Sequence, residues 1–285
     1  MTSPTIPSDK KVWFITGVST GLGRTLTEAI LEQGDTVAGT VRNTDQIPEL
    51  EQLAPGRISV TRMDVTKTDE VKAAVDHVIN TFGRIDVLVN NAGHGFIGAV
   101  EEVSDAEARA LFDVNVFGVL AVLQAALPHM RARRSGTVVN MSSQGGVKSF
   151  PGSGWYCASK HALEALSESM SGELAASGIK VLIVEPSAFR TDFLGRSMVV
   201  AQNVIGDYAN TSGQRRANLK NLDGKQKGDP VRAAKAIIKA VQSENPPLRL
   251  ALGQEALNGI RDKVNGMLKD WSAWEAESVG ADFPD

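Results

Sequence analysis

The sequence predicts a single-domain α/β fold, a doubly wound parallel sheet of about seven strands with helices on both faces. Three observations carry that prediction. Short apolar runs rich in β-branched residues recur at 12–16, 36–41, 58–62, 87–89, 137–141, 181–184 and 248–252, as expected of strands buried on both faces. Helix-period segments lie between them, clearest at 69–82, where Val71, Ala74, Val75, Val78, Ile79 and Phe82 repeat at three- and four-residue steps. The length of 285 residues suits one large α/β core better than two ordinary domains. Strand, helix and strand in alternation make βαβ units, and those make a parallel sheet.

Taken along the chain, residues 1–10 read as a flexible tail, 11–273 as the α/β domain and 274–285 as an acidic surface tail. The stretch 192–228 departs from the βα rhythm. It is polar and carries Gly195, Gly206, Gly213 and Gly224, and it reads as a lobe covering a substrate. The segment 105–133 is apolar around much of its circumference, through Leu111, Val114, Val116, Val119, Leu120, Val122 and Leu123. Both its faces should therefore be covered, by a second subunit or by other parts of the same chain.

Bulk properties exclude several functions. With 30 basic and 33 acidic side chains the net charge is −3, and the largest basic cluster is Arg131, Arg133 and Arg134, so nucleic acid is not an expected partner. The opening ten residues hold no apolar stretch for a signal peptide. The longest apolar run, 116–127, is too short for a membrane span and carries Gln124, so a cytoplasmic protein is expected. Cys157 is the single cysteine, and His77, His94, His129 and His161 lack metal-ligand spacing. No metal site is expected.

The first strand runs directly into Thr16-Gly17-Val18-Ser19-Thr20-Gly21-Leu22-Gly23 and then a helix-like segment. Strand, glycine turn and helix in that order are what a Rossmann-type dinucleotide site requires, with an ordinary tight βα turn as the alternative. Glycine permits the backbone angles of the turn and the approach of a pyrophosphate, and the helix N-terminus faces the phosphates. Cofactor choice is made at the end of the second strand, where a carboxylate would hold a ribose 2′-hydroxyl and an arginine a 2′-phosphate. That strand ends Thr40-Val41-Arg42-Asn43. With no acid present and Arg42 free for bidentate contact, NADP(H) is expected over NAD(H).

Three further blocks follow: Asn90-Asn91-Ala92-Gly93, Ser143 thirteen residues before Tyr156, and Tyr156-Cys157-Ala158-Ser159-Lys160. With these four blocks in order, the chain resembles the short-chain dehydrogenases/reductases over nearly all of residues 11–252. The surroundings of Asn91-Ala92-Gly93 and the stretch 185–193 are most similar to the hydroxysteroid and retinol dehydrogenase branch. The resemblance implies oxidoreductase activity on a carbonyl or alcohol, with Asn115, Ser143, Tyr156 and Lys160 as the catalytic group. Hydride transfer to a carbonyl builds charge on oxygen, so a proton donor and a hydrogen-bond donor are needed there. Tyr156 and Ser143 fit those roles. A phenol ordinarily titrates near ~10 and a neighbouring cation favours its ionised form; Lys160, one helical turn on, is expected to supply that cation.

From the resemblance also come the cofactor contacts. Lys160 is assigned to the nicotinamide ribose, Asn115 to a water beside the lysine through its carbonyl, and Asp64 to the adenine amino group with Val65 beside it. Asn91, Ala92 and Gly93 would line the adenosine ribose, and Pro186 and Thr191 would lie near the nicotinamide amide. This chain has Pro186-Ser187 where the family commonly has Pro-Gly, which leaves the backbone angle there open. His94, Phe96, Phe150, Trp155, Phe189, Phe193, Leu194 and Met198 are the candidate substrate contacts, with core filling as the alternative. Their apolar character suits a hydrophobic ketone or alcohol. Cys157 reads as a packing residue. The resemblance further implies a homo-oligomer, dimer or tetramer. An epimerase or dehydratase on the same fold, and a non-catalytic NADP-binding regulator, are the alternative functions.

Overall fold

The central apolar runs are buried as anticipated, whereas the edge runs 58–62 and 249–252 bury only Ile58, Val60 and Leu252, and helices cover both sides of the sheet. A computed structural model describes residues 6, 7 and 9–283. The order is β1 (Val12–Ile15), α1 (Gly21–Glu32), β2 (Thr36–Val41), α2 (Ile47–Glu51), β3 (Ile58–Arg62), α3 (Thr68–Phe82), β4 (Val87–Asn90), β5 (Gly95–Ile97) and α4 (Asp105–Phe112). A π-helical turn (Asp113–Phe117) leads into α5 (Gly118–Arg133), then β6 (Gly136–Met141), α6 (Gly154–Ala175), β7 (Ile179–Pro186) and β8 (Met198–Val200). The chain ends through α7 (Gln214–Leu222), α8 (Pro230–Gln242), β9 (Arg249–Leu252), α9 (Gln254–Ala273) and α10 (Glu275–Val279).

Seven strands form one sheet in the order β3-β2-β1-β4-β6-β7-β9, every pair parallel. All carboxyl ends therefore reach one edge, and the winding direction reverses between β1 and β4. A crevice opens at such a switch point. On one face α1 and α8 bury Leu26, Ile30, Ile237 and Ile238 against the sheet. On the other, α3, α5 and α6 bury Val75, Val78, Val122, Met130 and Leu174.

The seven expected strands are all present. The structure adds one pair that the sequence reading missed, β5 with β8, which joins Gly95 to Met198 and Ile97 to Val200. At three residues each, these strands are too short to produce a periodic signal. Ile6 packs on the core and Lys10 donates to the Gln33 carbonyl at 2.9 Å, so these residues of the expected tail are docked; residues 1–5 and 8 lie outside the described residues.

The helical stretch Asp105–Arg133 corrects the expectation about membrane length. By length and composition it is apolar enough to cross a membrane. Its Val119, Val122, Ala126 and Met130 are nevertheless buried within the protein, while Phe117 and Leu120 are exposed. The same chain thus covers one face only.

Glu102 attaches the lobe 192–228 to the body. Its carboxylate is fully buried and accepts hydrogen bonds from the N–H of Ala99 (2.7 Å) and Ile205 (3.0 Å), from the Ser212 hydroxyl (3.1 Å) and from Arg216 (2.8 Å). Arg216 first, and then these other donors, hold the carboxyl down at about 2 against the opposing cost of burial. By contrast the exposed Arg109–Asp105 pair contributes little to stability, because water screens both charges. Three carboxylates, Glu164, Glu168 and Glu185, share Arg249 behind α6. Burial pushes the Glu185 carboxyl up to about 7.

Glu102→Ala leaves a half-buried guanidinium and two N–H groups unpaired, a loss of about 3–5 kcal/mol. Its folded carboxyl lies below the ordinary 4.5, so its contribution is present above that pH and disappears as pH falls toward 2. Urea unfolding of the variant should show the loss at pH 7, with faster proteolysis within 192–228. Wild-type stability and wild-type protease resistance together would contradict the clamp.

Candidate active site

The glycine turn is held from three sides. Asn91 donates through Nδ2 to the carbonyls of Thr16 (2.9 Å) and Gly17 (2.8 Å), and Thr40 Oγ1 accepts from the Gly17 N–H (3.2 Å). Thr16 Oγ1 in turn accepts from the N–H groups of Asn91 (3.0 Å) and Ala92 (2.9 Å). Gly17 and Gly21 have φ of 73° and 62°, which side chains with a Cβ rarely adopt. A Cβ on Gly23 would collide with the Gly17 carbonyl and the Asn91 amide. The asparagine therefore acts by positioning the turn.

Leu22 turns inward onto the core. Thr20 begins α1 without a side-chain cap, so the positive end of the helix faces a cleft of about 370 Å³ lined by Ser19, Thr20, Gly21, Arg24, Arg190 and Thr191. An uncapped helix end, a glycine turn and a cleft between them fit a dinucleotide pyrophosphate.

Around that cleft the other expected contacts distribute unevenly. Arg42 is exposed at the end of β2, within electrostatic reach of Asp64 and His94. Burial acts to raise the Asp64 carboxyl, but the Thr66 N–H (2.9 Å) and hydroxyl (2.8 Å) and the charges of Arg42 and Lys67 hold it low. The Val65 side chain is buried against the start of α5, so only its backbone can meet a ligand. Thr191 stands over Gly21. At the departure from the family pattern, the Ser187 N–H donates to the Leu252 carbonyl at 2.9 Å and its φ is not positive, so serine is accommodated there without strain.

Two of the catalytic candidates, Asn115 and Lys160, meet next to Gly93, and the other two, Ser143 and Tyr156, lie at Gly145. Gly93 has Asn115 Oδ1 and Lys160 Nζ as its nearest neighbours. Asn115 donates to the His94 carbonyl (3.0 Å) and to Ser159 Oγ (3.1 Å), and accepts from the His94 N–H (3.1 Å). It sits in the π-helical turn, the kind of local irregularity that marks functional sites. Lys160 is buried and donates to the Met141 carbonyl at 2.8 Å. Ser143 accepts from the Gly145 N–H at 3.0 Å and hydrogen-bonds Tyr156. Cys157 is fully buried below them, its thiol pushed up by burial.

The expected acidification of the phenol is not present in the folded cleft. Burial pushes Tyr156 up to about 12, opposed by the Ser143 hydrogen bond, and the charge of Lys160 does not enter. The ammonium lies 6.0 Å from the centre of the Tyr156 ring and faces Met141, and burial lowers it to about 8. Desolvation disfavours both charged forms more than their separation can offset.

Of the substrate candidates, Phe193, Met198 and His94 gather at the site. Phe193 lies 6.2 Å from the Tyr156 ring, and Met198 covers Gly95 beside it. Burial lowers the His94 imidazole, whose Nδ1 is 3.1 Å from the Gly95 carbonyl. Leu194 is half-buried.

The other candidates need correction. Phe96 is buried with Leu111 and Ala201 and supports Tyr156 from below. Phe189 belongs to the core on the α8 side of the sheet. Trp155 donates to the Val100 carbonyl at 3.1 Å and meets Phe112 edge-on. Phe150 is covered by the Arg215 guanidinium at 4.6 Å. The aromatic residues were legible by type, but the sheet face each one takes depends on the loop path. Thr40 and Glu102 were missed because neither residue type announces a positioning role.

Residues 11–198 match the short chain dehydrogenase family model. A curated relative, oxidoreductase BOA17 of Botryotinia fuckeliana, is 37% identical over 87% of this chain and 90% of its own. The 3-ketodihydrosphingosine reductase of Bacteroides thetaiotaomicron is 36% identical over 85% and 88%. A solved short-chain dehydrogenase from Streptomyces avermitilis superimposes with a TM-score of 0.91 at 42% identity, covering 97% of this chain and 100% of that one. More distant neighbours of the fold were solved with NAD or with NADP bound. With a family model matched across most of its length and relatives aligned nearly end to end, the chain belongs to the short-chain dehydrogenase/reductase family of oxidoreductases.

Proposed function

We propose that the protein is an NADP(H)-dependent ketoreductase or alcohol dehydrogenase acting on a hydrophobic carbonyl or alcohol. The observation that carries the reading is that Ser143 and Tyr156 lie together at Gly145, with the Lys160 ammonium 6.0 Å from the centre of the Tyr156 ring and next to Gly93, in the segment whose Asn91 also holds the glycine turn. Bound nicotinamide supplies or accepts the hydride. The chain handles the proton. Tyr156 Oη gives its proton to the substrate oxygen as that oxygen gains charge, and Ser143 Oγ donates a hydrogen bond to the same atom. Lys160 replaces the proton and holds ribose hydroxyls, with Asn115 fixing the wall beside it. A phenol near 12 stays protonated at neutral pH, which favours the reductive direction.

Arg42, exposed and with no carboxylate beside it on β2, supports NADP(H). The apolar cover of Phe193 and Met198 supports a hydrophobic substrate, as does the reductase from Bacteroides, whose named substrate is a ketone of a long-chain base. The lone, buried Cys157 accords with a reducing, cytoplasmic setting. Exposed Phe117, Leu120 and Leu166 accord with a homo-oligomer.

Tyr156→Phe should lower NADPH-dependent carbonyl reduction by at least ~100-fold, the scale of general acid catalysis, while NADPH binding by fluorescence titration is retained. Undiminished turnover would remove the tyrosine from the mechanism, and no turnover by wild type across aromatic, steroid-like and aliphatic ketones would favour a nucleotide-binding regulator. Arg42→Asp removes charged hydrogen bonds of about 1.5–3 kcal/mol, so kcat/KM for NADPH should fall ~10–100-fold while that for NADH does not. A wild-type preference for NADH would refute the assignment. In the free enzyme Lys160 titrates at about 8, so reductive kcat/KM should decline as pH rises through that value and the relay loses its proton; a profile flat to pH 10 would exclude the lysine from proton supply.

A further inference from the structure

Five arginines among the described residues are half-buried, and four of them have clear partners. Arg24, Arg84 and Arg216 each meet a carboxylate, and Arg57 donates through Nη1 to the carbonyls of Leu31 (2.8 Å) and Asp35 (3.1 Å). Arg215 is the fifth. Its Nε donates to Ser153 Oγ at 2.8 Å, and its guanidinium lies 4.6 Å from the centre of the Phe150 ring. Among the described residues no carboxylate pairs with it, and Nη1 and Nη2 have no acceptor. Burial pulls the guanidinium below its ordinary value, as expected of a cation taken from water without a counter-ion. Lys148, likewise half-buried and without an ion pair among the described residues, lies 5.8 Å from the same ring. Two cations thus border Phe150 with no carboxylate paired to either.

Phe150 and Ser153 belong to the loop that leads from Ser143 to Tyr156, and the Arg215 charge reaches the Cys157 thiol, next in the chain to Tyr156. Gly152 permits the approach. Its φ is 75°, and a Cβ there would stand 2.8 Å from the Ser212 backbone and 3.5 Å from the Arg215 Cβ. The lobe 192–228 therefore meets this loop at backbone contact and brings the arginine with it. On the same lobe Phe193 and Met198 supply the apolar cover. An apolar wall and an unpaired cation on one lobe suit a ligand that has both characters.

We propose that Nη1 and Nη2 of Arg215 bind an oxyanion, a carboxylate or a phosphate, carried by the substrate. On the ketoreductase reading, on which this assignment rests, the substrate is then an amphipathic ketone. With Nε engaged by Ser153, the two terminal nitrogens remain as a fork that matches two oxygens of either group. Contact with Phe150 restrains the guanidinium beforehand, so little freedom is lost on binding. Arg216 is no substitute, because Glu102 already occupies it. An arginine that only braced the lobe would, when lost, weaken acidic and neutral ketones alike.

β-Benzoylpropionic acid, its methyl ester and the matching phosphonic acid, assayed with NADPH, test the site. Wild type should show a higher kcat/KM for one of the two acids than for the ester, and the better acid identifies the oxyanion. In Arg215→Gln the ratio of that acid to the ester should fall ~10–100-fold, as the loss of charge-assisted hydrogen bonds implies, with the change in KM. Calorimetric titration of the same acid into protein saturated with NADP+ should show Kd rising by a like factor, independently of turnover. A wild type that reduces the ester as well as either acid overturns the proposal. So does a variant that loses acid and ester in equal measure, or one whose Kd is unchanged. Absence of turnover with all three ketones would count against the ketoreductase reading alone, because the titration still measures what Arg215 binds.

Discussion

The segment from Asn91 to His94 is the constraint on which the site depends. At one end the Asn91 carboxamide closes the glycine turn onto the end of β4. At the other, Gly93 and the His94 backbone lie against Asn115 and Lys160. Four residues thereby place the nucleotide turn and the catalytic helix in one rigid frame. A parallel sheet makes this possible, since β1 and β4 are neighbours and both end at the same edge.

Burial governs the electrostatics of that frame more than pairing does. Tyr156 and Lys160 are each pushed toward neutrality, and the lysine is held by a backbone carbonyl. Burial thus favours the neutral phenol and brings the ammonium down to about 8. The opposite case is Glu102, which is buried like Lys160 but remains ionised because four donors surround it. The difference between the two lies in the number of hydrogen bonds available to the charged form.

The lobe 192–228 is integrated with the body at several points. β8 pairs with β5 directly after His94, Glu102 receives Ile205, Ser212 and Arg216, and Arg215 covers Phe150. Phe193, which packs on Tyr156, and Met198, which covers Gly95, are therefore held by the same contacts that attach the lobe. The cover over Tyr156 and the attachment of the lobe share one set of interactions.

What the sequence determined by itself is local: the seven main strands, the helix between β3 and β4, the glycine turn, and Tyr156 and Lys160 one helical turn apart as candidate site residues with Ser143. Hydrophobic period, backbone freedom at glycine and a one-turn spacing on a helix are properties of neighbouring residues, so they can be read without a fold. Tertiary structure decided the rest. It sent Phe189 to one face of the sheet and Phe193 to the other, buried Val65 and Phe96, paired β5 with β8, and turned Lys160 toward Met141. Each of those outcomes depends on how loops distant in sequence meet and on how much water they exclude, and neither quantity is encoded in any single stretch of the chain.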